Sequence, residues 1–295
     1  MKRFLIFLLS VLLTCNAGAS HASQTGLLWK VSGESASVYL LGVLPFATQQ
    51  MDALPVAAES AFTQSHRLLV YVDLLSLDPY VAAQTATDMA KPAAGATLQD
   101  LVSVETWNRA TTITDQYKLP LQAFSGQEPW LVAWSLSWFI NAVNGFDESR
   151  GMDRNLLARA HGDEHKEIIA LRSYAEWLGE LDSLNKDEQE LLLQASLARI
   201  ETGSSYPAAL VEAWLKGDAD RIAGLQSASL DKVPQARQLL QRLVDRRNAT
   251  MLERIDQELK QHKDGTFVMI RAEQAIGDNG LPALLKKAGF TVKRL

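Results

Sequence analysis

The alternation of apolar and polar positions predicts short strands at both ends of the chain. Leu27–Val31 and Ser37–Leu44 are rich in leucine and β-branched residues, and the Ser-Gly-Glu-Ser segment between them is typical of a hairpin loop. Arg67–Leu74 has the apolar run of a buried strand. Four further short runs are predicted to be strands: Leu121–Phe124, Lys166–Leu171, Thr266–Arg271 and Thr291–Arg294.

A period of about 3.6 residues predicts helices through most of the remaining chain. The predicted helices are Met51–Gln64, Glu128–Val143, 186–202, 206–225, Pro234–His262 and Leu281–Ala288, the last ending before Gly289. This order predicts an α/β (mixed α+β) fold, with a central mixed β-sheet built from the amino- and carboxyl-terminal segments. A large helical insert is expected at about 128–262, and residues 23–295 are expected to form a single domain.

The first 22 residues have the pattern of a secretory signal peptide. Two basic residues precede the apolar run 4–13, and small residues favour cleavage after Ala22, with Ala19 as the alternative. That run is too short to span a bilayer, and no later stretch is long enough, so no transmembrane segment is expected in the mature protein. We therefore expect secretion across the inner membrane into the periplasm.

Composition excludes several classes of protein. The hydrophobic set makes up 47% of the chain and charged residues 21%, as in ordinary globular proteins. A formal net charge of −5 without a Lys/Arg-rich run argues against a nucleic-acid partner. The only cysteine, Cys15, lies in the predicted signal peptide, so the mature chain has no disulfide or thiol nucleophile. Thr14 before Cys15 fits a lipoprotein cleavage box poorly, which disfavours a lipid anchor there.

One string has the order of a zinc-peptidase motif. His161-Gly162-Asp163-Glu164-His165 reads H-x-x-E-H, which binds zinc when both histidines lie on one helix face. Here the helix is predicted to span Asp153–Ala160, and Gly162 and Asp163 are expected to end it. We interpret the string as a solvated turn rather than a metal site.

Arg247 lies within the apolar stripe of the predicted helix Pro234–His262. A guanidinium in that position needs a partner, because an unpaired buried charge is very costly. We expect Arg247 to be buried, with Asp73 or another acid from the strand ends beside it. It is either a structural ion pair or a cleft arginine that binds a carboxylate or phosphate.

Trp130, Trp134 and Trp138 recur every fourth residue along one face of a predicted helix. Such tryptophans usually pack against a sheet, and core packing is the simpler interpretation. The alternative is that they line a groove for an extended peptide or an acyl chain.

Ordered segments through essentially the whole mature chain resemble one known family. They are Leu27-Leu28-Trp29-Lys30, Tyr39-Leu40-Leu41-Gly42, Leu68–Leu74, Pro129-Trp130, Gly151-Met152-Asp153, Gly217-Asp218, Arg247–Met251, Gly277–Leu281 and Lys286–Val292. Their order resembles the TraB/GumN family, which is related to the Tiki metalloproteases. The resemblance implies a hydrolase fold with two G-x-x-H motifs whose histidines bind a divalent metal.

At the two motif positions this chain departs from the family pattern. The first motif corresponds to the segment from Gly42 to Pro45, so that proline stands in place of histidine. The second corresponds to the segment from Arg271 to Gln274, so that glutamine stands in place of histidine. Proline has no side-chain donor, and a neutral amide is a poor zinc ligand.

Two further polar positions of the family are also replaced. The glutamate usual on the third strand corresponds to Tyr71, and a later Leu-Glu pair corresponds to Leu171-Arg172. The resemblance therefore implies a retained fold whose metal chemistry has been removed, with no catalytic residue, no metal and no cofactor.

The sequence thus predicts an exported TraB/GumN-like protein that is catalytically inactive and has a binding or regulatory role. The candidate cleft residues are Asp73, Arg247, Asn248, Arg271, Glu273 and Gln274. A peptide, a protein or a small ligand all stay open as partners, and so does the oligomeric state. The alternatives are a metal-dependent hydrolase with substituted ligands such as Glu273, Asp73 and a histidine, a metal-independent hydrolase, and a lipid-anchored envelope factor.

Overall fold

A computed structural model describes residues 26–46, 48–51, 53–93, 95–262 and 265–295. The predicted signal peptide and Cys15 lie outside the described residues. Six strands are described: β1 Leu27–Ser32, β2 Ser37–Val43, β3 Arg67–Val72, β4 Glu167–Arg172, β5 Thr266–Arg271 and β6 Thr291–Arg294. They form one sheet in the order β4-β3-β5-β2-β1-β6. The predicted α/β class with a mixed sheet is confirmed.

The sheet has four parallel strands on one side and two antiparallel strands on the other. β1 and β2 form the predicted hairpin, and β6 pairs antiparallel with β1. β2, β5, β3 and β4 run parallel to one another. β5 is buried along almost its whole length, as its uninterrupted apolar run requires of a central parallel strand.

The carboxyl ends of these four parallel strands meet at one edge of the sheet. Val43 of β2 is paired with Arg271 of β5, and Val72 of β3 with Arg172 of β4. In open α/β sheets, ligands bind outside the carboxyl ends of the strands. This edge is therefore the natural place for a site.

Helices account for most of the other described residues. They are α1 Val56–Gln64, α2 Pro79–Met89, α3 Leu98–Leu101, α4 Val104–Gln116, α5 Pro129–Val143, α6 Met152–His161, α7 Tyr174–Asp182, α8 Lys186–Ile200, α9 Ser205–Leu215, α10 Ala219–Ala228, α11 Gln235–Gln261, α12 Ala272–Ala275 and α13 Leu281–Lys287. The main core covers the sheet, and a second apolar cluster lies between α4, α5 and α8. None of these helices combines the length and the hydropathy needed to cross a membrane.

Three local predictions were wrong. Leu121–Phe124 is a 3₁₀ turn rather than a strand, because Leu121 packs into the second helical cluster and no strand lies beside it. The predicted helix 206–225 is two helices, which break at Gly217 in the left-handed region with φ 67°. The predicted helix Met51–Gln64 begins only after Pro55.

Candidate functional site

A cavity of about 360 Å³, here called the central cleft, opens at the carboxyl edge of β2 and β5. Five of the residues that line it are here called the cleft floor: Pro45, Glu148, Arg247, Arg271 and Glu273. A smaller inner pocket of about 70 Å³ lies beside it and shares Trp177, Arg247 and Arg271 with it. Tyr71, Asp153 and Gln274 also line the inner pocket.

Arg247 belongs to a buried network with Tyr71 and Glu180. Nε of Arg247 donates to Oε2 of Glu180 at 3.1 Å, and the hydroxyl of Tyr71 donates to Oε1 of the same carboxylate. The Arg247 side chain is 19% exposed and that of Glu180 is 7% exposed. Burial, followed by the hydrogen bond to Glu180, raises the pKa of Tyr71 to about 12. The predicted need of Arg247 for an acid is met, but by an acid on α7.

Asp73 is therefore not the partner of Arg247, and this part of the prediction was wrong. Its Oδ1 accepts from the backbone N–H of Leu75 at 2.9 Å, and its Oδ2 lies 2.8 Å from Nε2 of His161. His161 is the last residue of α6, which places its ring at the end of β3. Both residues line a separate open cavity of about 810 Å³, the side cavity, together with Arg172.

The turn predicted for the H-x-x-E-H string is present, but it is not simply solvated. α6 ends at His161, and Gly162 is its C-cap. His165 lies exposed beyond that cap, so the two histidines do not share a helix face. The ring of His161 instead contacts Asp73, an interaction that the local pattern does not reveal.

Asn248 and Gln274 form a buried amide pair. Nε2 of Gln274 donates to Oδ1 of Asn248 at 3.2 Å, and Nδ2 of Asn248 donates to the backbone oxygens of Gln274 and Asn279. Oε1 of Gln274 accepts from the backbone N–H of Arg271 at 3.1 Å. Both side chains are thus engaged in fixing the turn between β5 and α12.

Two acidic residues lie near Arg271, Glu148 in the central cleft and Asp153 in the inner pocket. Glu148 belongs to a 3₁₀ turn at Glu148–Arg150, and Asp153 to the first turn of α6. Burial raises the pKa of Glu148 to about 7, although the positive charge of Arg271 opposes this shift. Burial likewise raises the pKa of Asp153, which also lies near Arg271.

Two glycines allow close backbone contacts around this site. A Cβ on Gly151 would lie 2.6 Å from the carbonyl oxygen of Pro45 and 2.5 Å from Oδ1 of Asp153. A Cβ on Gly42 would lie 3.0 Å from Cβ of Ala275. Gly42 therefore serves packing rather than ligand binding, and its carbonyl accepts from Nε1 of Trp214 at 2.7 Å.

The tryptophan face of α5 is divided between core and cleft. Trp130 is 1% exposed, Trp134 is half-buried, and Trp138 is 46% exposed. Trp130 and Trp134 both line the central cleft, and Trp134 packs edge-on against Trp177 with ring centroids 5.4 Å apart. Core packing therefore describes Trp130, Trp134 lines a cavity, and the exposed Trp138 does neither. A peptide or an acyl chain in that cavity stays a prediction.

The residues at the positions where the family resemblance implies metal ligands do not fit a divalent ion. Gln274 is engaged by Asn248 and Arg271, and Tyr71 by Glu180, while Pro45 has no donor. Arg172 is a cation whose Nη1 donates to the carbonyl of Leu171. Within the described ranges, no three His, Cys, Asp or Glu side chains are grouped so as to hold a metal ion. The set Glu273, Asp73 and a histidine is not brought together, because Glu273 lies in the central cleft and Asp73 in the side cavity.

The structure thus brings together six of the predicted site positions and separates four others. Those that line the central cleft or inner pocket are Pro45, Tyr71, Arg247, Arg271, Glu273 and Gln274. Asp73 and Arg172 line the side cavity, while Gly42 and Asn248 line none of these three cavities, although Asn248 contacts Gln274. The prediction missed Glu148 and Glu180; only an unusual degree of burial marks them, and burial is not visible in a sequence.

Comparison with known proteins agrees with this architecture. A family model described as TraB/PrgY/gumN matches residues 27–294. A protein of Treponema pallidum (strain Nichols), described as uncharacterized, is 24% identical over 242 residues, which cover 77% of this chain and 70% of that protein. No solved structure matches. The chain belongs to the TraB/PrgY/gumN family.

Proposed function

We propose that this protein is a non-catalytic binding protein whose ligand occupies the central cleft. The observation that carries the proposal is the commitment of the side chains at the family's metal positions to other contacts. Metal-assisted hydrolysis needs an ion with an open coordination position, which lowers the pKa of bound water. Proline and a doubly engaged glutamine supply no such ligands at positions 45 and 274.

The cleft itself supports binding as the retained activity. Its volume of about 360 Å³ falls within the range of small-molecule sites, and its walls are mainly aromatic and aliphatic. Charged side chains are confined to a few positions such as Arg247, Arg271 and Glu273. A few placed polar groups in an apolar cavity are typical of a specific ligand site.

The first prediction is that the purified mature protein carries no stoichiometric Zn²⁺, Mn²⁺ or Co²⁺. Added metal at about 1 mM should leave Tm unchanged, because we expect no site to bind it. If a site with Kd near 10 µM were present, metal at that concentration would stabilise the fold by about 2.7 kcal/mol. For a protein of this size, such a stabilisation would raise Tm by roughly 5 °C or more. Elemental analysis and thermal unfolding with and without EDTA measure both quantities.

The opposing function, a divergent metal-dependent hydrolase, predicts the reverse. About one metal ion per chain, or peptide hydrolysis that EDTA abolishes and metal restores, would overturn the proposal. Hydrolysis that survives EDTA would instead favour a metal-independent enzyme.

We also propose that the protein is exported and acts in the periplasm, on the basis of the basic and apolar pattern of residues 1–22. The mature chain is expected to begin at Ser23, or at Ser20 if the earlier site is cleaved, and to be released without detergent. Intact-mass measurement of the protein from a periplasmic extract tests this. A mass that retains Met1, or one that carries an acyl group on Cys15, would contradict it.

A further inference from the structure

The central cleft contains one donor group that the protein itself does not use, the guanidinium of Arg271. Its side chain is half-buried on the cleft floor, and no hydrogen bond or ion pair within the described part of the chain engages its guanidinium. Its charge acts on Glu148 and Asp153 only at longer range. The other cleft arginines are engaged, Arg247 by Glu180 and Arg199 by Ser229. Arg271 is therefore placed to receive an anionic group, and a planar carboxylate matches its geometry.

The charge balance of the cleft also favours an anion. Three arginines and two glutamates line it, and one of these glutamates is Glu148. Because burial raises the pKa of Glu148 to about 7, its negative charge is partly lost near neutral pH. The carboxylate of Glu273, two residues after Arg271 in the sequence, would repel an anionic ligand.

The cleft walls favour an aliphatic chain over a peptide. Side chains on them include Phe46, Trp134, Trp177, Tyr206, Leu240 and Leu243. Each residue of a peptide would bring backbone N–H and C=O groups that need partners when buried. An aliphatic chain has no such groups, and its transfer from water to these walls is favourable in proportion to its area.

Resting on the proposed binding function, we infer that the central cleft binds an aliphatic monocarboxylate. The carboxylate lies at the floor, where Arg271 donates to it, and the chain lies among the apolar walls. This assigns a chemical class to the ligand and gives Arg271 a role in recognition.

The test compares ligands that share one chain length, by calorimetric titration of the mature protein. Decanoate is expected to bind at least tenfold more tightly than 1-decanol or decyltrimethylammonium. Arg271→Met should weaken decanoate binding at least tenfold and leave 1-decanol binding unchanged. Arg246→Ala, which alters an exposed arginine outside the cleft, is the matched control.

Several outcomes would overturn the inference. Equal binding of decanoate and 1-decanol, no decanoate binding at all, or tighter binding of decyltrimethylammonium would each do so. Tighter binding of an amidated apolar peptide would assign the cleft to peptides. If Arg271→Met does not fold, the comparison of ligands on the wild-type protein still decides the question. These results are independent of metal content, so the inference can fail while the proposed non-catalytic function stands.

Discussion

Arg247→Ala is expected to lower the free energy of unfolding by about 3 kcal/mol, near the lower end of the range for breaking a buried ion pair. The substitution leaves the carboxylate of Glu180, whose side chain is 7% exposed, without its cation. The hydrogen bond from Tyr71 persists and the arginine is itself 19% exposed, which keeps the loss from being larger. Urea denaturation, monitored by circular dichroism, measures the change in the free energy of unfolding.

A double substitution distinguishes the contribution of the Arg247–Glu180 ion pair to stability from the cost of leaving the Glu180 carboxylate unpaired. Arg247→Met with Glu180→Gln removes both charges and keeps an acceptor for the Tyr71 hydroxyl. The double variant should lose much less stability than Arg247→Ala, because replacing a buried pair by neutral groups is often close to neutral. Arg246→Ala, on the exposed face of α11, should change stability by less than about 0.5 kcal/mol. Equal losses for the single and double variants would contradict this account.

The stripe of α11 predicted correctly that Arg247 faces the protein interior, but it could not identify the partner. Met251 and Ile255 on the same stripe are fully buried, as the helical period requires. Glu180 lies 67 residues earlier in the chain, and only the tertiary fold brings α7 close enough to α11 for the two side chains to meet. A period describes one helix face, whereas a partner depends on how helices are arranged around the sheet.

The order of the strands in the sheet likewise depends on contacts between segments that are distant in the sequence. The hairpin of β1 and β2 could be predicted because a short loop joins neighbouring runs. The position of β5 between β2 and β3 could not, since β5 begins almost two hundred residues after β3. This insertion places Arg271 beside the ends of β2 and β3, and the cleft exists because of it.

The structural role of Gln274 can be recognised only from its contacts with neighbouring residues. The sequence identifies it as standing where the family resemblance implies a histidine. Its buried contacts with Asn248 and the N–H of Arg271 give it a structural role in the turn after β5. This turn sets the backbone of Arg271, so that Gln274 supports the arginine of the cleft floor.

Glu148→Gln is expected to stabilise the protein at alkaline pH and to have little effect under acidic conditions. The pKa of Glu148 rises from an ordinary value of 4.5 to about 7 on folding, because burial disfavours its charged form. Below pH 4.5 the glutamate is protonated in both states and carries no penalty. Between pH 4.5 and 7 the unfolded chain loses this proton while the folded chain retains it, so that stability falls as pH rises.

Above pH 7 the full penalty is present, and it amounts to about 3 kcal/mol at most for a shift of this size. Glutamine has the same size, can still accept from Asn141, and cannot ionise, so Glu148→Gln should gain up to that amount at pH 8 and almost nothing at pH 4. Glu105→Gln, which alters an exposed glutamate of α4, is the control and should show no such pH-dependent gain. Urea unfolding at both pH values measures the difference. An equal loss of stability at pH 4 and pH 8 would mean that Glu148 acts through hydrogen bonds alone. The expected gain at pH 8 would show that the buried acid in the cleft lowers the stability of the protein.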